Sequence, residues 1–406
     1  GGNYNVVLGD EAGTAITTGD HNSAVGYAAL SSNTTASYNT AVGYQALTSN
    51  ITGAENAAFG FRALDVNLAS FNNAFGSETL GSNTTGASNT AFGHASLASN
   101  TTGSQNVAVG ANALDALDTA IRNVAIGTTA LTSDTKGDAS VAVGHSALFA
   151  QNFTTSTSVY NTAVGYHAGV AVTTGVNNTL IGGLAGDSLT DADFNVALGS
   201  NALIADTLGS RSVAIGYAAL TSQNFTTATD SNNVAVGMLA GANVTTGVEN
   251  TLIGALAGDA LTATNENTAV GKSALSTDTL GSRSTAIGQG TLASQNFTTS
   301  TQTFNTAVGF QAGTAVTTGI QNTLIGGLAG DAITDADYNV AVGMGSLGAN
   351  TVGSRSVAVG TNSLFEQNPA TAVDMYNVAV GYHAAFKVST GVRNSIIGGL
   401  AGDALT

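Results

Sequence analysis

A glycine-anchored repeat runs through the whole chain and constrains the fold more than any other feature. Its core is a small residue, a large apolar residue and glycine, as in Ala24-Val25-Gly26 and Ala41-Val42-Gly43. It occurs 23 times, and the 22 intervals between successive anchor glycines comprise seventeen 17-residue, one 16-residue and four 21-residue spacings. An uninterrupted period of this length indicates a solenoid, in which each repeat packs only on its neighbours.

The four 21-residue spacings recur at 72-residue intervals. Their extra residues lie in stretches that begin Gln151-Asn152-Phe153, Gln223-Asn224-Phe225, Gln295-Asn296-Phe297 and Gln367-Asn368-Pro369. Residues 1–150 are regular rungs, and residues 151–406 are super-repeats of three 17-residue rungs and one 21-residue rung. We interpret residues 1–406 as one continuous solenoid. Because the chain opens on glycine and stops in mid-repeat, we expect it to be a segment of a longer fibre.

The sequence pattern of the rungs predicts β-structure. The strongest positions are β-branched or aromatic, turn residues recur every few positions, and no 3.6-residue period persists. The large residue before the anchor glycine is Val, Ile, Leu or Phe in all 23 copies. The sequence therefore predicts an all-β fold, a parallel β-solenoid (β-roll) of about 23 rungs, each a 17-residue or a 21-residue coil.

Two adjacent apolar positions precede every anchor glycine. Neighbours along a strand point to opposite faces, so the pattern implies that both faces of this strand are buried. One face fills the interior of the coil, and the other needs a second surface. We expect another copy of the chain to supply it.

Asparagine stands four residues before the anchor glycine in 19 copies. The remaining four copies have serine at 72-residue intervals: Ser140, Ser212, Ser284 and Ser356. We expect the asparagines to form a hydrogen-bonded ladder and to occupy a left-handed turn conformation. The anchor glycine itself is expected to allow a positive φ or a close approach of two chain segments.

The composition excludes several classes of function. Only 8% of residues are charged, nine of them basic, and the net charge is −16. Nucleic acid is excluded as a partner because neutralising phosphates needs clustered Lys and Arg. No run of 18 apolar residues exists, so we expect no membrane insertion in this segment.

Short strings in the rungs resemble a known family. Arg211-Ser-Val-Ala-Ile-Gly216, Asn161-Thr-Ala-Val-Gly165 and Asn233-Val-Ala-Val-Gly237 resemble the head repeats of YadA-type trimeric autotransporter adhesins, and Asn39 to Leu47 is similar to repeats of phage tail fibres. The resemblance implies a left-handed parallel β-roll assembled as a homotrimer. It also implies an extracellular location, on a bacterial surface or a virion. The rungs are longer than those of the adhesin heads.

The 21-residue rungs are the candidate recognition sites, because insertions in solenoids form surface loops. The candidate residues of these surface bulges are Gln151, Asn152, Phe153, Gln223, Asn224, Phe225, Gln295, Asn296 and Phe297. Two alternatives stand for the three phenylalanines: they are exposed anchors for a ligand, or they fold back under the loop.

No constellation of residues predicts chemistry. The five histidines lie in different rungs without a repeated partner, so we predict no catalytic residues, no metal site and no cofactor. The acidic turns at Asp187–Asp193 and Asp331–Asp337 read as solvated turns, because the copy between them loses two of the three acids. Arg211, Arg283 and Arg355 read as surface ion pairs, with Asp206 and Asp278 upstream of the first two.

Two classes of function stay open. The chain is the shaft or head of an adhesive fibre, a surface adhesin or a tail fibre that attaches to an unidentified host ligand. Alternatively, it is a purely structural spacer or filament-forming subunit without a ligand. An ice-binding solenoid is less favoured, because the position three before the anchor glycine holds Thr40 and Thr90 but also Val6 and Ala57. An enzyme is not expected.

Overall fold

The computed structural model describes residues 2–406, and these contain β-strands joined by turns. The chain forms two compact units, Gly1–Asn195 and Val196–Thr406. The described residues include no helix, and so none long and apolar enough to cross a membrane. Each unit is a parallel β-solenoid, which confirms the predicted fold class.

The first unit has eleven strands of three residues and two of two residues. They are β1 Val6–Leu8, β2 Ser23–Val25, β3 Thr40–Val42, β4 Ala57–Phe59, β5 Asn73–Phe75, β6 Thr90–Phe92, β7 Val107–Val109, β8 Val124–Ile126, β9 Gly137–Asp138, β10 Val141–Val143, β11 Thr157–Ser158, β12 Thr162–Val164 and β13 Thr179–Ile181.

The second unit has twelve strands of three residues and six of two. They are β14 Val196–Leu198, β15 Gly209–Ser210, β16 Val213–Ile215, β17 Thr229–Asp230, β18 Val234–Val236, β19 Thr251–Ile253, β20 Thr268–Val270, β21 Gly281–Ser282, β22 Thr285–Ile287, β23 Thr301–Gln302, β24 Thr306–Val308, β25 Thr323–Ile325, β26 Val340–Val342, β27 Gly353–Ser354, β28 Val357–Val359, β29 Val373–Asp374, β30 Val378–Val380 and β31 Ser395–Ile397.

Within each unit, every three-residue strand pairs in parallel with the same three positions of the next rung. Val6 lies beside Ser23, and Ala41 lies beside Ala58. The register also holds across a 21-residue rung, where Val141 lies beside Thr162. The anchor tripeptides therefore stack in columns, because the insertions are accommodated outside this sheet.

The core of each rung is the middle residue of the strand together with the residue four after the anchor glycine. Ala58 and Leu64 are both fully buried. Where the strand carries leucine instead, as at Leu252, the fourth residue is Gly241 or Gly258, and a Cβ there would lie 2.7 Å from a Leu252 methyl. One strand leucine thus replaces two leucines of the fourth position, and the buried side chains of Val244 and Leu261 fill the remaining space, as close packing requires.

The anchor glycines have both properties that the sequence predicted. Gly216 has a φ of 132°, a conformation that side chains disfavour. A Cβ there would lie 2.5 Å from the carbonyl oxygen of Gly237 in the next rung. Glycine is needed because successive chain segments approach too closely for any side chain.

The asparagine ladder is confirmed, but its bonds run mainly to the backbone. The Asn39 amide nitrogen Nδ2 donates to the carbonyl of Gly53, and its Oδ1 accepts from the backbone N–H of Asn56. The expectation that asparagine takes the left-handed conformation is wrong. In every rung that conformation belongs to the preceding residue, for example Tyr38 with a φ of 63°. The ladder asparagines do not have a positive φ, and Asn39, for example, is fully buried.

The prediction of a single continuous solenoid across residues 1–406 stays a prediction. The division between the two units, after Asn195, does not coincide with the change from regular rungs to super-repeats near residue 150. Both units contain 21-residue rungs, since the first insertion lies in the first unit and the other three lie in the second.

Candidate interaction surface

Three columns of outward-pointing residues run along each unit beside the anchor glycines. Column 1 is the residue three before each anchor glycine, column 2 the residue immediately before it, and column 3 the residue immediately after it. The strand residue between columns 1 and 2 points into the core, so columns 1 and 2 lie on the opposite, outer face. We call the three columns together the apolar face.

Many large side chains of the apolar face are exposed. The exposed members of column 2 include Phe92, Ile126, Val164, Leu198, Ile253, Ile287 and Ile325. Those of column 3 include Tyr27, Tyr44, Phe61, Tyr166, Tyr217, Met238, Phe310, Met344 and Tyr382. Singly scattered exposed apolar residues are ordinary, but exposed apolar residues that share one face in many rungs are typical of interaction surfaces.

Charge is nearly absent from the apolar face. The chain has 25 acidic and nine basic residues, yet the three columns contain only Asp10 and Lys272. Depletion of charge in an apolar patch with exposed aromatic residues is typical of the centre of a protein–protein interface. The face therefore resembles half of an interface rather than an ordinary solvated surface.

The first half of the two-face argument is confirmed, since the inner face of the strand is fully buried within each unit. The outer face is partly uncovered in the single chain. Coverage of this face by partner chains, and a homotrimer in particular, stays a prediction.

Aromatic rings of the apolar face stack from rung to rung. In column 3, the ring centroids of Tyr27 and Tyr44 are 5.1 Å apart, and those of Tyr44 and Phe61 are 5.4 Å apart. The stacking distances are close to the spacing of β-strands, because each ring sits on its counterpart in the next rung. Stacking of these rings therefore links neighbouring rungs of the apolar face within a single chain.

The insertions do not present the side chains that the sequence analysis favoured. Phe153, Phe225 and Phe297 are only 5–7% exposed, so of the two alternatives open for them, the one in which they are exposed anchors is wrong. They fold back over the preceding rung; Cδ2 of Phe225 lies 2.7 Å from where a Cβ of Gly209 would be. The alternative, in which the rings tuck under the loop, is confirmed. Glycine at this position leaves room for the ring.

The three glutamines of the insertions are also buried, and they hold the insertion in place. Gln151 Nε2 donates to Oδ2 of Asp134 at 2.6 Å and to the hydroxyl of Ser140 at 3.0 Å. Its Oε1 accepts from Nδ2 of Asn161 at 2.9 Å. Gln223 and Gln295 make the same three contacts in their own rungs.

This network explains why serine interrupts the asparagine ladder. The buried glutamine occupies space beside the ladder position and supplies an acceptor to the next asparagine, so a smaller residue, Ser140, fits there. Asp134 completes the network by accepting from the backbone N–H groups of Gly137 and Phe153. Burial raises the pKa of Asp134, and these hydrogen bonds oppose the increase.

The fourth insertion has changed in a concerted way. Asn350 replaces the aspartate, and Pro369 replaces the phenylalanine whose N–H the aspartate accepted. Pro369 has no N–H, so one acceptor fewer is needed. Nε2 of Gln367 is left buried without a hydrogen-bond partner.

Of the nine candidate recognition residues, Asn152 and Asn224 are exposed and Asn296 is half-buried. The Oδ1 of Asn152 accepts from the Thr135 hydroxyl, and that of Asn224 accepts from the Thr207 hydroxyl. The exposed tips beyond them are short and small, Thr154 to Ser156 in the first copy. Whether any of them binds a ligand stays a prediction.

The structure brings few chemically active groups together. Among residues 2–406, no group of three His, Asp or Glu side chains is arranged to hold a metal ion. The rings of His145 and His167 stack 5.8 Å apart. Burial raises the pKa of Asp187 and of Asp331, so these acids are less solvated than the sequence analysis expected.

The arginines form surface ion pairs, but not with the expected partners. Arg211 contacts Asp230 at 3.0 Å, and Arg355 contacts Asp374 at 2.9 Å. Asp206 and Asp278 are fully buried in the insertion network. The sequence distance between arginine and aspartate was therefore misleading, because it ignored which way each side chain points.

A regular threonine column escaped the sequence analysis, which examined the wrong position of the rung. It lies nine residues before most anchor glycines, and its hydroxyls donate to carbonyls of the next rung. Thr17 donates to Thr34 at 3.0 Å, and Thr262 donates to Thr279 at 2.9 Å. Because these hydroxyls bond within the protein, the column connects rungs. The 21-residue rungs interrupt it with Asn152 and its counterparts.

Comparisons with known proteins do not assign a family. A scan against protein-family models finds no match, and a search of curated proteins finds none either.

Proposed function

We propose that this chain is a subunit of an extracellular fibre that assembles side by side with copies of itself, as a homotrimer. The observation that carries the proposal is the apolar face, which is exposed and almost free of charge. For an acidic chain of net charge −16, a charge-free surface is where a second copy can approach with least repulsion.

The size of the face supports a stable interface. Eleven rungs at ~4.8 Å per strand give a length of about 50 Å, and five residues at ~3.3 Å give a width of about 16 Å. The resulting area is about 800 Å² per unit, so a chain of two units offers each of its two neighbours in a trimer about 800 Å², which is what one partner contributes to a standard protein–protein interface. A partner must also repeat at the strand spacing to stay in contact along this length, and another solenoid of the same sequence does so.

Charge placed on the apolar face tests the proposal. Val342, a half-buried strand residue of column 2, and Thr246, in an exposed turn outside the face, are the two positions for substitution by aspartate, and circular dichroism checks that both variants stay folded. The Thr246→Asp control is mild, because Asp191 and Asp335 occupy the equivalent turn position in other rungs. We expect Val342→Asp to weaken assembly in sedimentation velocity, because burying an unpaired charge costs several kcal/mol, and Thr246→Asp to leave it unchanged. Equal behaviour of the two variants would count against the proposal.

Attachment to a host or surface is the competing candidate, and the exposed insertion tips, Thr154 to Ser156 in the first copy, are the part of the chain that would carry it. The burial of Phe153, Phe225 and Phe297 favours the alternative of a structural spacer without a ligand, because the usual aromatic anchors of recognition are withdrawn. Thr154→Ala with Ser156→Ala gives the first tip the sequence of Ala370 to Ala372. The assay compares the wild-type fibre with a variant altered in all tips for binding to a panel of glycans and matrix proteins. Equal binding of the two would leave the structural spacer as the function.

A further inference from the structure

Three successive rungs of the first unit depart from the rest of the apolar face. Column 2 holds phenylalanine only at Phe59, Phe75 and Phe92, and Val, Ile or Leu in every other rung. The ring centroids of Phe59 and Phe75 are 4.8 Å apart and those of Phe75 and Phe92 are 5.9 Å apart, so the rings form a continuous ridge. Phe92 is 58% exposed. We call these three residues the phenylalanine ridge.

Column 1 is altered in the same rungs. It holds Val, Thr or Ser everywhere except at Ala57 and Asn73, which share rungs with Phe59 and Phe75. In the rung of Ala57 and Phe59, bulk has moved from column 1 to column 2, because alanine and phenylalanine together have about the side-chain volume of two valines. The core exchanges leucine between two positions in the same way, as at Leu252 and Gly241. The other two rungs keep a side chain of threonine size in column 1, at Asn73 and Thr90. Beside the ridge, Ala57 has a side chain of a single methyl group and leaves a gap in column 1.

The rest of the face specifies register poorly. Columns 1 and 2 repeat similar residues in the other rungs, so a copy displaced by one rung, ~4.8 Å, loses contacts between these two columns only at the ends. In the super-repeats even the differences between rungs recur at 72-residue intervals. Repetitive surfaces of this kind slip unless a local feature prevents it.

We propose that the phenylalanine ridge of one copy packs against column 1 of the next copy, with Phe59 in the gap at Ala57, and thereby sets the register of the fibre. The inference rests on the proposed self-assembly. Around a cyclic assembly the contacts are heterologous, so column 2 of each copy meets column 1 of its neighbour. In register, Phe59 faces Ala57 and Phe75 faces Asn73.

Slipped arrangements are disfavoured by packing and by closure of the ring. A shift of one copy by one rung relative to its neighbour sets Phe75 against Ala57, and this contact also fits. In a closed ring, however, the shifts at all interfaces must add up to zero. Another interface must then shift the opposite way, which sets Phe92 against Val107 or Val124 and overpacks that contact. Only the in-register ring satisfies every interface at once.

The test removes the ridge without introducing any unfamiliar rung. Ala57→Thr with Phe59→Val, and Phe92→Val, reproduce the native strand sequence of Thr40–Val42. Asn73→Val with Phe75→Val reproduces that of Val107–Val109. Tyr217→Thr is the matched control, since it removes an aromatic of the face outside the ridge and column 3 has threonine at Thr128.

The readout is one nitroxide label per chain at Thr102→Cys, an exposed turn position in a protein without cysteine. Pulsed electron–electron spin resonance then measures distances between copies, and native mass spectrometry measures their number. We expect one interspin distance in the labelled protein with an intact ridge and in its Tyr217→Thr variant. In the ridge-free variant we expect several interspin distances and the same number of copies per assembly. A single interspin distance in the ridge-free assembly overturns the inference. A ridge-free variant that is folded but monomeric also overturns it, because the ridge would then drive assembly instead of setting its register. A monomeric wild type overturns the proposed function itself.

Discussion

Replacing Gln151 by leucine tests the account of the 21-residue rungs. Leucine is close to glutamine in size, so the substitution keeps most of the packing and removes three hydrogen bonds. Two are donated by Nε2, to Asp134 and Ser140, and one is accepted by Oε1 from Asn161. The Asp134 carboxylate keeps its bonds from the N–H groups of Gly137 and Phe153.

The expected loss of stability is set by the groups left unpaired. A buried neutral group without a partner costs about 1–3 kcal/mol and a charged one more, so we expect a loss of roughly 3–5 kcal/mol at pH 7. Gln367→Leu is the matched control, because Gln367 faces Asn350 instead of an aspartate and its Nε2 is already unpaired. There we expect roughly 1–2 kcal/mol.

Lowering the pH should reduce the loss of stability in Gln151→Leu and leave the loss in Gln367→Leu unchanged. Burial raises the pKa of Asp134, and the bond from Gln151 lowers it, so losing that bond raises the pKa further. A carboxyl whose folded pKa lies above its unfolded value favours the fold when protonated, so its contribution grows as pH falls and is lost as pH rises. The deficit of Gln151→Leu should therefore shrink between pH 7 and about pH 4.

Hydrogen–deuterium exchange read by mass spectrometry is the assay, because it reports the stability of individual rungs. Peptides around residues 134–161 and 350–377 give the two deficits within otherwise identical chains. Equal deficits at pH 7, or a Gln151→Leu deficit that does not change with pH, would refute the role given to the Asp134 carboxylate.

Two further predictions concern the regular rungs. Leu252→Ala should lower stability by about 2–5 kcal/mol in urea unfolding, and adding Gly241→Leu should restore part of it by refilling the core; no recovery would contradict the volume exchange. Gly216→Ala should cost about 3 kcal/mol or more, because of its positive φ and the Gly237 carbonyl. Ala at Gly183, where nothing lies within 4 Å of the new methyl group, should cost little in the same assay, and similar losses at both sites would contradict the close-approach argument.

The regular parts of the fold follow directly from the sequence. The residue before the anchor glycine is Val, Ile, Leu or Phe in all 23 rungs, and this repeat predicts a solenoid. Stacking of the rungs then places each anchor tripeptide beside the next one. The asparagine ladder was predictable for the same reason, since identical polar residues stacked at strand spacing have hydrogen-bond partners within reach.

The insertions were harder to predict because the orientation of their side chains depends on contacts within the loop. Exposure of Phe225 looked reasonable for a loop residue, and its burial depends on the free space above Gly209. Asp206 looked like an ion-pair partner for Arg211, yet it points inward to Gln223. Sequence spacing places these residues near each other but does not say which face each one occupies.

The stoichiometry of the unmodified protein in solution tests the central claim most directly. The chain has a mass of 39.9 kDa and exposes the apolar face along both units. Native mass spectrometry across a range of concentrations should give a trimer of about 120 kDa, three times the chain mass. A mass of 39.9 kDa at all concentrations would contradict the account, because the apolar face would then be stable in water without a partner.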